Sequence, residues 1–501
     1  MKKLMTICAL GLSSAACMPA SPVLEERPAA ALPPAHAAGL AQLWPQVSAE
    51  MKQSKLHGLS IAVFDNYEIV EVHTAGVKSI DTGAAMDERT AFSTASISKV
   101  TTALLCLMLA RDGVIDLDEP ISGYLKSWQL PASEVPGAAD VTWRQLLTHT
   151  AGTSQHGFAD FYEGDAVPTL IDSLEGRLPR YDKPIEFLFA PGTSWKYSGG
   201  GYVIVQLALE DHLGLPLEEL AEERIFKPLG MADTTMVQPG SKGFLKNTAS
   251  VHDEDGAVIR TGLPITPQIS ASGMWSTPSD MARFMIDFQR ALDGHEIGVI
   301  TPSLAREMTD IISLRYVGGM GTPFFRGMGF GNTDWFRHDG SNTGVNVEML
   351  ASMQGGYGVV IMGNGDDPNT NPVFATLRRE IVDAMGWRER QQLDSRPVEP
   401  ALRDAILGHY NGLLYGMGFD YRIEEIDGEL WVASEFFQHF LGVDRSRLHH
   451  LGNGVFAVED FPNRLRFERG PDGSLANVHV FREGDDSAPV TRSIAELRPA
   501  K

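Results

Sequence analysis

The stretch from Phe92 to Asp112, FSTASISKVTTALLCLMLARD, constrains the fold of this chain more than any other segment. Its apolar residues recur at helical spacing and cover nearly every face, a pattern typical of a helix buried between other layers. Ser93 or Thr94 is expected to cap the start of this helix, and Gly113 is expected to follow its end. The segment therefore predicts one long helix in the core of the protein.

Two polar side chains near the start of this helix fit a buried location only if they face a cleft. Ser96 and Lys99 are three residues apart, so they lie on one helix face near its positive end. A lysine that burial keeps neutral can accept the proton of a serine hydroxyl and so activate it. An S-x-x-K tetrapeptide is weak evidence alone, because Ser and Lys often occur at this spacing on solvated helices. We interpret Ser96 as a candidate nucleophile and Lys99 as its base.

Composition restricts the class of protein and its partners. The chain has 501 residues, of which 43% are apolar and 21% charged, so it is an ordinary globular chain with room for several domains. Its formal net charge of −22 argues against nucleic-acid partners and against a basic membrane-binding surface. Beyond the first 17 residues Cys106 is the only cysteine, so no internal disulfide is expected. No ligand cluster with metal-binding spacing is present, and we predict neither a metal nor another cofactor.

The N-terminus has the pattern of an export signal. Two lysines precede the apolar run 4–12, which is too short to span a bilayer, so residues 1–16 are predicted to be a signal peptide. Small residues before Cys17 also resemble a bacterial lipoprotein signal, in which this cysteine would be lipidated. Residues 17–38 are rich in Pro and Ala, as a tether would be. We expect a periplasmic protein, either soluble or anchored to the membrane through Cys17, with a slight preference for the anchor.

The remaining pattern predicts two folded domains. Strand-like runs occur at Leu59 to Gly76 and between Trp335 and Met362, and a helical, loop-rich region lies between them. This order fits an α/β domain with an all-helical lobe over residues 39–388, with an active cleft between its two parts. The charged, proline-containing residues 389–402 are predicted to be a linker. Residues 403–501 alternate in polarity around turn signals, which predicts a small all-β domain, a barrel or a sandwich.

Two further segments offer partners for Ser96 and Lys99. Tyr197 lies where a glycine-rich loop leads into a predicted helix, and it is a candidate for a second proton-transferring hydroxyl. His338-Asp339-Gly340 lies on a predicted strand, where Gly340 would let a substrate backbone approach closely. The backbone N–H groups of Ser96 and Ser341 are expected to form an oxyanion hole.

Taken together, these segments resemble the serine β-lactamase and penicillin-binding-protein superfamily. The likeness is to class C β-lactamases, D-alanyl-D-alanine carboxypeptidases, D-aminopeptidases and related esterases. It covers about residues 38–390, and the C-terminal domain resembles the lipocalin-like domain of some members. Ser96-Ile97-Ser98-Lys99 matches the S-x-x-K motif, Tyr197-Ser198-Gly199 stands where Y-x-N is expected, and His338-Asp339-Gly340 stands where K-T-G is expected.

The resemblance implies a fold and a set of roles. The fold would be α/β, with an antiparallel sheet flanked by helices, an all-helical lobe, and a small all-β C-terminal barrel. Ser96 would be the acylated nucleophile, Lys99 its base, and Tyr197 the group that relays the proton to the leaving group. The amides of Ser96 and Ser341 would hold the oxyanion. His149, in the segment LLTHTAG, is interpreted as structural.

Two departures from the family pattern bear on the substrate. Gly199 removes the side-chain amide of the usual asparagine, and His338 removes the fixed positive charge of the usual lysine. A histidine at that position is mostly neutral at pH 7 unless a neighbour such as Asp339 raises its pKa. Both changes weigh against efficient hydrolysis of penicillins.

The first choice is therefore a secreted Ser-Lys-Tyr peptidase that acts on small or D-amino-acid-containing peptides. A carboxylic-ester hydrolase or a weak β-lactamase of the same fold is the alternative. A homologue that binds cell-wall peptides without catalysis is a further alternative.

Overall fold

The computed structural model describes most of the chain after residue 31. The signal peptide predicted over residues 1–16, Cys17 and the first part of the tether lie outside the described residues. The residues described are 32–179, 182–296, 298–314, 319–327, 330–331, 333–366, 370–389, 392–414, 417–435, 437–438, 442–461, 463–469, 475–482 and 495–499.

The first domain combines a sheet with helices on both of its faces. Its helices are α1 (Pro34–Gln53), α2 (Ser98–Arg111), α3 (Trp143–Leu147), α4 (Leu170–Leu174), α5 (Gly199–Leu213), α6 (Leu217–Ala221), α7 (Ile269–Ser272), α8 (Pro278–Leu292), α9 (Pro302–Thr309) and α10 (Thr370–Ala384). Its strands are β1 (Gly58–Asp65), β2 (Glu68–Gly76), β3 (Phe92–Ser93), β4 (Trp275–Ser276), β5 (Phe325–Arg326), β6 (Trp335–Asn342), β7 (Val345–Ser352) and β8 (Gly358–Gly363).

The main sheet is antiparallel throughout, with strand order β2-β1-β8-β7-β6-β5. Because successive side chains of a strand point to opposite faces, β1 contributes to two separate cores. Ala62 and Phe64 pack with residues of α2 and α8, whereas Ile61 and Val63 pack with residues of α1 and α10. The predicted α/β fold with an antiparallel sheet between helices is thereby confirmed.

The helix with Ser96 and Lys99 is buried, as its composition predicts, but it begins later than expected. Every residue from Ser98 to Leu109 in α2 is buried. The prediction of one helix from Phe92 was wrong, because Phe92–Ser93 pair with β4 and residues 95–97 form a 3₁₀ turn. Neither Ser93 nor Thr94 caps the helix. Instead, both the backbone N–H and the hydroxyl of Thr94 donate to the carbonyl oxygen of Met274, at 2.8 and 2.9 Å.

Two proline-initiated helices lie in segments for which the sequence predicts a tether and a linker. Helix α1 begins at Pro34, within the predicted tether, and α11 (Pro400–Ile406) begins within the predicted linker 389–402. Proline is well suited to the first turn of a helix, because its missing N–H would have no helical partner there. In the described part of the chain, none of the helices has the length and apolar character needed to cross a bilayer.

The C-terminal domain is a closed antiparallel barrel, as predicted. Its strands follow one another around the barrel in chain order, and the last pairs with the first. An apolar cluster that includes Trp387, Ile406 and Tyr410 joins the barrel to α1 and α10, on the face of the sheet away from Ser96. The strands are β9 (Gly408–Leu414), β10 (Met417–Ile426), β11 (Glu429–Ala433), β12 (Arg445–Gly452), β13 (Val455–Val458), β14 (Asn463–Arg469), β15 (Leu475–Arg482) and β16 (Ala495–Pro499).

Candidate active site

Ser96 is the one residue of the segment 91–100 that is accessible to solvent. All residues from 91 to 100 are buried except Ser96, which is partly exposed. The residue before it, Ala95, has a φ of +46°, in the left-handed region that non-glycine residues rarely adopt. Such a conformation persists only where the surrounding structure enforces it, and it often marks a functional turn. The turn places the hydroxyl of Ser96 at the start of α2, open to the cleft.

Lys99 lies directly beneath Ser96. Its Nζ is 3.3 Å from Ser96 Oγ and donates to the carbonyl oxygen of Ala271 at 2.7 Å. Lys99 is only 2% exposed, and burial lowers the pKa of its amine to about 7. A substantial fraction of the amine is therefore neutral near pH 7. In that form its lone pair can accept the Ser96 proton while its N–H still donates to Ala271.

Tyr197 completes the group of three that the sequence predicts. Its hydroxyl lies close enough to Ser96 for the two side chains to interact, and the centroid of its ring lies 4.9 Å from Lys99 Nζ. Burial raises the pKa of the phenol above its ordinary value, so the hydroxyl keeps its proton at neutral pH. Tyr197 precedes Ser198, the N-cap residue of α5, whose hydroxyl accepts from the N–H of Gly201. The start of a buried helix therefore positions the tyrosine.

The β6 strand forms the opposite wall of the cleft, and Gly340 allows it to approach. A Cβ at position 340 would lie 2.3 Å from the Thr94 carbonyl oxygen and 3.1 Å from the Ser96 nitrogen, so no larger residue fits without displacement. The sequence predicts that Gly340 lets a substrate backbone approach. In the structure it instead lets two segments of the chain, β6 and the Ser96 turn, approach each other. The contact brings β6 against the turn that holds Ser96.

The N–H of Ser341 points away from β7. Asn342 and Val345 pair across the two-residue turn that joins β6 and β7, and Ser341 is the next residue of β6. Because inward and outward hydrogen bonding alternates along an antiparallel strand, Ser341 then directs its N–H outward. On that side, among the residues that the structure describes, β5 pairs with Phe336 and Arg337 and does not extend to Ser341, so the edge of β6 is open there. This arrangement fits the predicted oxyanion hole with Ser96.

His338 is buried and uncharged at neutral pH. It is 1% exposed, and its Nδ1 lies 2.8 Å from the carbonyl oxygen of Asp339, which accepts its proton. Burial lowers the pKa of the imidazole to about 4, and the nearby Asp339 charge offsets only part of this effect. The increase in the His338 pKa considered from the sequence therefore does not occur.

The Asp339 carboxylate is ionised beside this neutral histidine. It is bound to Arg337, with Nε and Oδ1 3.2 Å apart. Burial acts to raise the pKa of Asp339, but the charges of Arg337 and Arg378 hold it below its ordinary value. The position that carries a fixed positive charge in the family motif therefore carries a neutral ring here, and the charge of the neighbouring Asp339 is paired with that of Arg337.

The space beside Gly199 is filled by the protein. A Cβ at this position would lie 2.8 Å from the carbonyl oxygen of His156 and 2.8 Å from Cε2 of Phe158. The N–H of Gly199 also donates to the His156 carbonyl, at 3.0 Å. An asparagine side chain, which the family motif has here, would have to occupy the same volume as these groups. The loop 155–158 has thus replaced a substrate-binding amide with carbonyl and aromatic surface.

Some groups that contribute to the site could not be identified from the sequence. The carbonyl of Ala271, which binds Lys99, is a backbone group, and no motif identifies it before the fold is known. His149 is interpreted from the LLTHTAG segment as structural, yet its ring centroid lies only 4.3 Å from that of Tyr197. Throughout the described ranges, no group of three or more His, Cys, Asp and Glu side chains is arranged to hold a metal ion.

This chain is similar in sequence to known proteins that have several different activities. Penicillin-binding protein 4 of Amycolatopsis lactamdurans is 24% identical over 361 residues, 68% of this chain and 89% of that protein. Esterase EstB of Burkholderia gladioli is 30% identical over 207 residues, 39% of this chain and 50% of the esterase. The D-aminopeptidase of Brucella anthropi is 27% identical over 226 residues, 43% of this chain and 39% of that enzyme.

Solved structures and the family comparison agree with the fold. The octameric penicillin-binding protein homologue from Pyrococcus abyssi superposes with a TM-score of 0.55 at 16% identity, covering 91% of this chain and 99% of that one. The family model described as Beta-lactamase matches residues 46–384, which include Ser96, Lys99, Tyr197 and the β6 strand. This chain therefore belongs to the Beta-lactamase family and is a serine hydrolase of that fold.

Proposed function

We propose that this protein is an exported peptidase that cleaves small peptides, including peptides that contain D-amino acids, through an acyl-enzyme on Ser96. The observation that carries this proposal is the buried, neutral His338 at the position where the family motif has a lysine. A substrate carboxylate would find no fixed cation on His338, whereas a substrate amino group would meet no positive charge there. The D-aminopeptidase relative is consistent with such a preference.

The reaction follows from the geometry. Neutral Lys99 takes the Ser96 proton as the serine oxygen attacks the substrate carbonyl, and the N–H groups of Ser96 and Ser341 stabilise the oxyanion. The protonated phenol of Tyr197 donates to the leaving nitrogen and regains its proton from Lys99. In deacylation the same groups act in reverse, and a water molecule replaces the amine. The three proton-handling groups lie close together, which favours catalysis over a purely peptide-binding role.

A carboxylic-ester hydrolase is the second candidate. The neutral cleft end suits an uncharged ester as well as it suits a peptide, and the loop 155–158 adds the aromatic ring of Phe158 beside Gly199. The relative EstB is an esterase by name. Ester hydrolysis needs less assistance to the leaving group than amide hydrolysis, so a site with a displaced Tyr197 would still cleave esters.

Substrate comparison on the mature protein tests the proposal. The p-nitroanilides of D- and L-amino acids with a free amino group, the same compounds with the amino group acetylated, p-nitrophenyl esters and a chromogenic cephalosporin would be assayed in parallel. We expect turnover of the free-amine anilides, loss of that turnover on acetylation, and little cephalosporin hydrolysis. Turnover of esters alone would replace the peptidase by the esterase, and efficient cephalosporin hydrolysis would contradict both.

Labelling separates catalysis from simple binding. A fluorophosphonate should modify Ser96, as identified by mass spectrometry, and Ser96→Ala should abolish both labelling and turnover. Absence of an adduct, or full activity in Ser96→Ala, would leave the non-catalytic peptide-binding alternative in place. Ser133→Ala is the control and should keep both labelling and turnover, since Ser133 is an exposed loop residue whose hydroxyl accepts from the N–H of Val135.

We also propose that the chain is exported to the periplasm and anchored there through a lipid on Cys17. Support comes from the N-terminal sequence alone. Fractionation of cells that express the full chain should place it with membranes, and Cys17→Ser should leave it soluble or uncleaved. A wild-type protein found wholly in the soluble periplasmic fraction would overturn the anchor but not the export.

A further inference from the structure

His149 contacts Tyr197 and both of its neighbours in the chain. The carbonyl oxygen of His149 accepts from the N–H of Lys196 at 2.9 Å, and its Nδ1 accepts from the N–H of Ser198 at 3.1 Å. Its ring stacks obliquely on the Tyr197 ring, with centroids 4.3 Å apart and planes inclined by 32°. One residue, almost fifty positions earlier in the chain, thus contacts the Tyr197 ring and binds the residues on both sides of it.

The backbone conformation of His149 makes these contacts simultaneous. Its φ is +59°, in the left-handed region, where Asn, Asp and His are enriched among non-glycine residues. This conformation turns the carbonyl toward Lys196 while the ring lies under Tyr197. His149 is 1% exposed, so its contacts are made within the protein and not through the solvent. A side chain lacking an acceptor at the δ position would leave the Ser198 N–H buried without its partner.

The protonation state of His149 follows from the same contacts. An Nδ1 that accepts from a backbone N–H carries no proton, so the neutral ring has its proton on Nε2. Burial lowers the pKa of His149 well below its ordinary value, and the charge of Lys99 lowers it further. The ring is therefore neutral at working pH, so it is not a cation for the substrate. Its Nδ1 lone pair is taken by the Ser198 N–H, so it is not free to act as a general base. Its contribution must come through geometry.

We infer that His149 is a positioning residue for Tyr197, which holds the phenol where it can hydrogen-bond Ser96 and reach the leaving group. This inference rests on the proposed role of Tyr197 in proton transfer. A displacement of about 1 Å in a catalytic group can reduce a rate by roughly 100-fold. Removing His149 should therefore lower turnover by displacing Tyr197 and not by removing a proton-transferring group.

A double-mutant cycle tests this inference. His149→Ala, Tyr197→Phe and the double variant would be compared by kcat/KM on a p-nitroanilide and by the rate at which a fluorophosphonate labels Ser96. Rates would be normalised to active-site concentration, so that a partly unfolded sample does not mimic a catalytic defect. We expect His149→Ala to lower kcat by roughly 100-fold with a small change in KM. In the Tyr197→Phe background, His149→Ala should lower kcat by less than about twofold.

Two further variants distinguish positioning from general loss of stability. In His149→Asn the side-chain oxygen replaces Nδ1 as acceptor, and asparagine tolerates the left-handed φ, so activity should return to within about tenfold of the wild type. His450→Ala removes another largely buried histidine, in the barrel, whose Nδ1 bonds the carbonyl of Pro397. It should lower the melting temperature without a loss of kcat.

The outcomes separate this inference from the proposed function. If Tyr197→Phe lowers activity to a measurable residual rate and His149→Ala lowers that rate further by its full factor, the two residues act independently and His149 is not a positioning residue. The positioning role is equally excluded if His149→Asn is as slow as His149→Ala while remaining folded. If Tyr197→Phe retains full activity, the role of Tyr197 is wrong, and the inference about His149 is overturned with it.

Discussion

The Nζ of Lys99 lies 3.3 Å from the Oγ of Ser96, close enough for direct proton transfer between the two side chains. The same Nζ is bound to the carbonyl of Ala271, in a helix that comes about 170 residues later in the chain. Lys99 therefore links the nucleophile turn to a distant segment of the site. Its position and its lowered pKa both depend on this burial.

Lys99→Met should abolish activation of the nucleophile. The methionine fills the buried space but has no basic nitrogen, so we expect kcat/KM to fall by about 10²- to 10⁴-fold, the range for loss of a general base. Ester hydrolysis and the rate of Ser96 labelling would measure the loss. Lys227→Met, at an exposed lysine, serves as the control and should be as active as the wild type. Comparable activity in the two variants would show that Lys99 is not the base.

The pH dependence should follow the Lys99 amine. Burial lowers its pKa to about 7, and only the deprotonated amine can accept the Ser96 proton, so kcat/KM should rise with pH. Below pH 7 the increase should approach tenfold per pH unit, with a plateau above about pH 8. A profile of kcat/KM from pH 5 to 9 would measure it. Activity that is independent of pH between 5 and 7 would contradict a lysine base with this pKa.

Gly340→Ala should disable the site more than it destabilises the fold. The added Cβ would meet the Thr94 carbonyl at 2.3 Å, so β6 must move away from the Ser96 turn. We expect a loss of roughly 100-fold in kcat/KM, as for other displacements of about 1 Å. Gly123→Ala is the matched control, because it has open space and an ordinary φ. Equal activities for the two alanine variants would mean that the contact does not set the site geometry.

Gly199→Asn restores the asparagine of the family motif but should not restore binding of a substrate amide. Its side chain would collide with the His156 carbonyl and the Phe158 ring, each 2.8 Å from the added Cβ. Overpacking of this kind typically costs about 1–3 kcal/mol, so we expect a lower melting temperature and no gain in cephalosporin hydrolysis. Thermal unfolding and a chromogenic cephalosporin assay would measure both. A stable variant with new β-lactamase activity would show that loop 155–158 moves easily to admit the asparagine side chain.

His338 should not act as a charge switch in the neutral range. Its pKa is lowered to about 4 by burial, so the imidazole stays neutral from pH 8 down to about pH 5 and gains a proton only below that. The ratio of kcat/KM for an anilide with a terminal carboxylate to that for its uncharged amide should therefore be constant over this range. His338→Gln should give the same flat ratio. A ratio that rises between pH 7 and 6 in the wild type alone would contradict the lowered pKa.

Several elements could be predicted from local sequence because local interactions determine them. Helix α8 spans Pro278 to Leu292, where apolar residues recur at helical spacing, and the Thr277 hydroxyl accepts from the N–H of Asp280 at its start. The strands β1 and β2 likewise match their alternating pattern around the turn after Asp65. In these cases the capping group or the turn lies within a few residues of the element.

The start of α2 was predicted wrongly because a distant segment competes for the same backbone. Phe92 and Ser93 pair with β4, and Thr94 donates twice to the Met274 carbonyl, so these residues are extended where their local pattern predicts a helix. Local propensity is a weak influence compared with a buried hydrogen bond to another element. The same limitation hid the Ala271 carbonyl, which the fold brings to Lys99.

The sequence by itself determined the chemical groups of the site. Ser96 and Lys99 share a face because they are three residues apart at a helix start, and the motifs around Tyr197 and Gly340 indicate the family. Only the tertiary structure decided their states: a lysine near pKa 7, a neutral His338, an ionised Asp339 and a filled space beside Gly199. The physical reason is that pKa and free volume depend on desolvation and on neighbouring charges. Those neighbours come from segments that are far apart in the chain.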